Sequence, residues 1–176
     1  MDENLWIKKF FKLDLESPTL NEIESIKNFA LLWNMFERYF CRKNANLENI
    51  KNNLFELDAK GYSFPESLST DFFEFFKDRY VTNNQTNALF ENLGFREGNS
   101  DKKYKILLKS ILEDNSSEIK DKILANFIII YRFRNNLFHG SKDIATISQQ
   151  KVNFEIANKI IMIFLDFLKR SGKLLE

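Results

Sequence analysis

The chain is poor in the residues that most often announce chemistry. Among 176 residues there is one cysteine, Cys41, and one histidine, His139. One cysteine excludes an internal disulfide and fits a reducing compartment. One of each leaves no set of four nitrogen or sulfur ligands for a structural zinc, so no metal is expected. Five glycines, at 61, 94, 98, 140 and 172, form neither a P-loop nor a dinucleotide fingerprint, and no cofactor is expected. Two prolines and few glycines leave little turn punctuation, which favours long helices over many short strands. No apolar run approaches the roughly 20 residues that span a bilayer. The opening Met1-Asp2-Glu3-Asn4 lacks the basic region of a signal peptide, which predicts a cytoplasmic protein without a membrane partner. Net charge is only +1, so a surface that coats nucleic acid without selectivity is not expected.

What the chain does have is phenylalanine, 19 copies, on a background of 44% hydrophobic and 29% charged residues. A chain of this length is one domain by default and can bury roughly 70% of its unfolded surface. Ser17-Pro18-Thr19 with Glu22 reads as a helix start. Ile23, Ile26, Phe29, Ala30, Trp33, Phe36 and Phe40 then recur at spacings of three and four, predicting a helix to about Arg42. Trp33 and the phenylalanines read as core. Further helices are predicted at about 47–59, from Ser69 or Thr70 to Tyr80, at 101–112, at 117–139 and at 148–170, with a short one near 86–93 in an otherwise loop-like stretch from 81 to 100. No convincing strand appears. The pattern predicts an all-α, up-down bundle of five to six helices in one domain over 1–176. Its last two long helices should form an antiparallel hairpin around Gly140.

Chemistry concentrates in Tyr131-Arg132-Phe133-Arg134-Asn135-Asn136-Leu137-Phe138-His139-Gly140. An imidazole moves protons near neutral pH. An arginine fork binds phosphate oxygens and stabilises charge in a transition state. An amide can orient either one or a ribose hydroxyl. The negative end of the helix dipole should push the His139 pKa up, and burial would push it down. On a regular helix Arg134 lies about 140° from His139, Asn135 about 40° and Arg132 about 20°. By angle alone Arg132 rivals Arg134 as the phosphate-binding arginine, and a complete site needs another helix or a second subunit. Cleavage through a 2′-hydroxyl uses a base and an acid; with one histidine per chain, a two-fold dimer would supply both.

The arrangement Arg134-Asn135-x-x-x-His139, followed by Gly140, resembles the signature of the HEPN ribonuclease superfamily. Ala30-Leu31-Leu32-Trp33-Asn34-Met35-Phe36-Glu37-Arg38-Tyr39-Phe40 is similar to the first core helix of several of its groups. The resemblance implies an all-helical bundle, a homodimer and RNA as partner. It implies a metal-independent endoribonuclease, acting as a toxin or phage-defence effector. Arg134 and His139 would be catalytic and Asn135 supporting. Glu37 would orient an arginine, and Arg132 and Tyr131 are further candidates for substrate contact. The alternative is a non-catalytic HEPN-like module that binds a protein or a nucleotide. Family toxins often pair with an antitoxin that modifies a tyrosine just after the histidine. Here Gly140-Ser141-Lys142 stands in that place, without a nearby tyrosine, although an antitoxin partner is still implied. Residues 61–115 match nothing in the family pattern. Lys102, Lys103 and Lys105, within that stretch, are ordinary surface charges that could touch RNA.

Overall fold

The computed structural model describes residues 5, 6, 9, 20–138 and 150–173. The helix-start signal at Ser17–Thr19, His139, Gly140 and the loop after them lie outside the described residues.

Seven α-helices are present among the described residues: α1 Leu20–Tyr39, α2 Leu47–Ala59, α3 Asp71–Tyr80, α4 Ala88–Glu91, α5 Asn99–Glu113, α6 Ile119–Phe138 and α7 Lys151–Arg170. The chain is an all-α bundle, as its periodicity predicts. A single-turn 3-10 element, Glu66–Leu68, precedes α3. None of the described helices is long and apolar enough to cross a membrane.

Local chemistry sets several boundaries. Asn46 caps α2 by accepting the Asn49 N–H at 2.9 Å. Asn87 does the same for α4, accepting from Leu89 at 2.9 Å. Helix α1 stops at Tyr39, three residues short of expectation. No glycine is available there, so Arg42 and Lys43 themselves take left-handed backbone, with φ of 51° and 64°. The sequence also hides a hairpin. Val81–Thr82 pairs antiparallel with Gln85–Thr86 around Asn83 and Asn84, both at positive φ. An asparagine pair suits this tight turn, but two-residue strands show no alternation to detect.

Helix α6 runs through the centre. Every residue from Ile123 to Ile130 is buried, so this segment is covered all round. Its Phe127 stacks on Phe36 at 4.9 Å and meets Phe164 edge-on at 4.8 Å. Burying each such ring is worth about 1.5–3 kcal/mol. Asn126, wholly buried in the same run, donates to the Leu68 carbonyl at 2.6 Å and so ties the 3-10 turn to the core.

Three long helices set the frame. Trp33 meets Tyr131 and Phe36 meets Phe127, so α1 and α6 run antiparallel. Phe127 meets Phe164 and Phe133 meets Phe154, so α6 and α7 are antiparallel too. The most extensive partner of α7, however, is α1 rather than the preceding helix α6. Phe29 meets Phe154 and Phe40 meets Phe164, so this pair runs parallel. Asn158 ties the pair together by donating to the Ser25 carbonyl at 2.8 Å, beside the fully buried Ala157.

Candidate functional site

The last two turns of α6 carry a cluster of polar side chains beyond the buried, largely apolar run Ile123–Ile130. Arg132 and Asn136 are four residues apart and share one face. Both turn toward the Leu93–Arg96 segment. Arg132 is only 2% exposed. Its Nε donates to the Leu93 carbonyl at 3.2 Å and one terminal nitrogen donates to the Gly94 carbonyl. The other terminal nitrogen meets Asp101 Oδ2 at 2.9 Å. The guanidinium also lies over the Phe95 ring, 5.0 Å from its centroid. Burial lowers the Arg132 pKa and Asp101 opposes that shift.

Asn136 adds a bond from its amide to the Leu93 carbonyl at 3.1 Å. Gly94 has φ of +67°, and a Cβ there would stand 3.1 Å from the Asn136 amide oxygen. Glycine is therefore needed twice, for conformation and for space. Asp101 closes the arrangement by accepting the Arg96 N–H at 2.9 Å. The end of α6 is thus clamped to the start of α5 and the loop before it.

Arg132 is committed to this clamp. Three of its five N–H groups are engaged and the side chain is buried, so a phosphate could reach it only by opening this clamp. The small angle from His139 that made Arg132 a rival for phosphate describes a residue turned inward.

Arg134 has a different setting. It lies nearly opposite Arg132 around the helix and is half-buried. One terminal nitrogen donates to the Asn135 amide oxygen at 3.1 Å. Its guanidinium lies over Phe138, 5.4 Å from the ring centroid. Its Nε is buried without an acceptor among the described residues. Arg134 forms no ion pair among the described residues. Asn135, 8% exposed, therefore steadies the arginine. His139 follows Phe138 and lies outside the described residues.

The remaining candidates sit elsewhere. Tyr131 is half-buried, its ring 6.0 Å from Trp33, as part of the α1–α6 packing. Glu37 accepts the Ala45 N–H at 3.2 Å and holds the turn after α1. It also lines a cleft of about 330 Å³ with Asn34, Arg38 and Lys43. Since Phe36 is level with Phe127, Glu37 lies about 10 Å along the axis from the Arg134 turn. Arg134 and Asn135 come together; Glu37 and Arg132 do not join them.

Asp101, Gly94 and Asn136 support the site but do not stand out in the sequence. One signal pointed to them: an arginine and an asparagine at i and i+4 in a buried run require polar partners. Nothing in the sequence says where those partners come from. Among the described residues, no group of three or more His, Cys, Asp or Glu side chains is placed to hold a metal ion.

Comparison with known proteins adds no relative: no family model, curated protein or solved structure matches the chain.

Proposed function

We propose that this chain is a HEPN-like endoribonuclease that cleaves RNA through the substrate's own 2′-hydroxyl. One observation carries the reading. Arg134 is a half-buried guanidinium without a carboxylate partner among the described residues, and it stands five positions before the only histidine. A permanently charged group in that setting is costly unless an anion neutralises it. A scissile phosphate is such an anion.

In the proposed reaction the 2′-oxygen attacks phosphorus and loses its proton to a base. The P–O2′ bond forms and the P–O5′ bond breaks. The departing O5′ takes a proton from an acid. The products are a 2′,3′-cyclic phosphate and a 5′-hydroxyl. Arg134 holds the non-bridging oxygens as their charge grows. Asn135 keeps the guanidinium aimed. His139 supplies one proton transfer, and His139 of a second copy supplies the other. Each step uses groups of the protein and substrate, without a metal. The biological role that goes with this activity is a toxin or phage-defence effector acting in the cytoplasm.

The test is purified protein on tRNA and mRNA in the presence of EDTA. Cleavage should persist under chelation, leave cyclic phosphate ends, and vanish in His139→Ala and Arg134→Ala. Equal cleavage by wild type and His139→Ala would sink the reading.

A second reading, a non-catalytic module that binds a protein, draws on the exposed Leu31, Met35, Val152 and Met162 of the adjoining helices α1 and α7. A stable protein complex unaffected by Arg134→Ala with His139→Ala, in a chain that cuts no RNA, would favour it.

A further inference from the structure

We infer that Arg79 is a second phosphate-binding residue at the Arg134 end of the bundle, so that single-stranded RNA is held by more than one backbone phosphate. The choice of RNA rests on the function proposed above. The position of Arg79 rests on separate observations.

The first is an unbalanced charge. Among the described residues, two half-buried arginines have a buried Nε without an acceptor, Arg79 and Arg134. Neither forms an ion pair among the described residues. Arg132 shows the ordinary resolution of the same problem, a carboxylate at 2.9 Å. The lysines of the same stretch are partly neutralised. Lys103 pairs with Glu48 at 3.1 Å, and Lys105 pairs with Glu91 at 2.5 Å. Among the described residues Arg79 stands against Tyr80, a neutral partner: the ring lies 5.9 Å from its guanidinium, and the guanidinium's charge and hydrogen bonding toward the phenol partly offset the burial that raises the phenol's pKa. A ring face attracts a cation but does not neutralise it.

The second observation is placement. Helix α3 runs parallel to α6: Asn126 bonds the Leu68 carbonyl just before α3, and further along Phe76 meets Phe133 at 5.9 Å. Arg79 is three residues beyond Phe76, which puts it level with about residue 136 of α6. Along the axis it is within about 5 Å of the Arg134 turn, on a helix packed at about 8–10 Å. Two guanidiniums without a carboxylate partner among the described residues thus stand at similar height on neighbouring helices, Arg134 about 100° around α6 from Phe133, the residue that meets α3. The backbone of Arg79 is fixed there, because its carbonyl accepts the Asn87 amide at 3.0 Å.

The chemistry that satisfies two such groups is a chain of anions. An RNA strand supplies phosphates in series, and an arginine fork matches each one. Arg79 would hold a phosphate flanking the scissile one and so act in binding rather than in proton transfer.

The experiment measures binding of a fluorescent oligouridylate against potassium chloride concentration, in full-length His139→Ala so that no substrate is consumed. Each phosphate contact on a single strand contributes about 0.7 to the slope of log affinity against log salt. Arg79→Gln should reduce the slope by about 0.7, Arg79→Lys should retain it, and Lys60→Gln should match the parent. Arg79→Met, which keeps the apolar stem, serves if the glutamine variant does not fold. An unchanged slope in folded Arg79→Gln would overturn the inference. So would equal loss in the lysine and glutamine variants, or a parent that binds no oligouridylate. Failure of the ribonuclease reading looks different: the chain with His139 intact binds RNA through Arg79 yet cuts none, and the inference stands.

Discussion

Arg132 and Asp101 meet at 2.9 Å, and each also holds backbone of the loop between them: Arg132 takes the Leu93 and Gly94 carbonyls, Asp101 the Arg96 N–H. Breaking one side of a buried pair leaves an uncompensated charge and costs about 3–5 kcal/mol. Arg132→Ala should approach that figure in urea denaturation. Asp101→Ala should cost less, because Asp101 is 19% exposed and water can replace it. Equal, negligible shifts in both midpoints would remove the clamp from the account.

Arg134→Gln should separate function from stability. Among the described residues its guanidinium has a neighbouring amide and a ring to lose. The unfolding midpoint should correspond to a change within about 0.5 kcal/mol, while RNA cleavage falls by at least about 100-fold, the scale expected when a transition-state charge donor is removed. A large loss of stability with cleavage retained would reverse the roles assigned to Arg132 and Arg134.

Gly94→Ala tests the same region through the backbone. The new methyl must sit at φ +67° and 3.1 Å from the Asn136 amide oxygen. A cost of about 1–3 kcal/mol is expected. Gly98→Ala meets no atom within 4 Å and is the control.

Alkaline pH should weaken the fold. Burial pushes the Tyr80 phenol up to about 12. Burial, and then the hydrogen bond to Glu48, raise Tyr104 in the same direction. Both values are higher folded than unfolded, so the unfolded chain releases these protons first. The stabilisation is whole below the unfolded value of about 10 and is lost as pH climbs through the folded values. Urea midpoints at pH 9 and 11.5 should differ, and Tyr80→Phe should narrow the difference.

Cys41 should behave as a core residue. It is 2% exposed, and burial, with the nearby Glu37 charge, pushes its thiol up to about 12. Iodoacetamide at pH 8 should label it slowly in buffer and quickly in urea. Fast labelling of the native chain would contradict the burial of the turn after α1.

The sequence was informative where one periodicity governs. Ile50, Leu54 and Leu57 mark α2 between the Asn46 cap and Gly61, and Phe29, Trp33, Phe36 and Phe40 mark the buried stripe of α1. It was silent where distant segments choose partners. Nothing local tells α7 to lie along α1 more than along α6, because an apolar stripe fits either. Arg132 shows the same limit within the site. Helical angle gave its direction around α6, but not the Asp101 carboxylate 31 residues away that claims it. Arg79 carries no motif at all; only the parallel course of α3 and α6 brings it to the Arg134 end.

The α1–α7 pairing also orders events during synthesis. Ser25 and Asn158, which bond across it, are 133 positions apart. While the chain emerges from the ribosome, α1 waits for its main partner until nearly every other described helix has been made. Phe29 and Phe40 stay without their Phe154 and Phe164 neighbours through that interval. Such long closures slow folding and leave apolar surface open to wrong contacts.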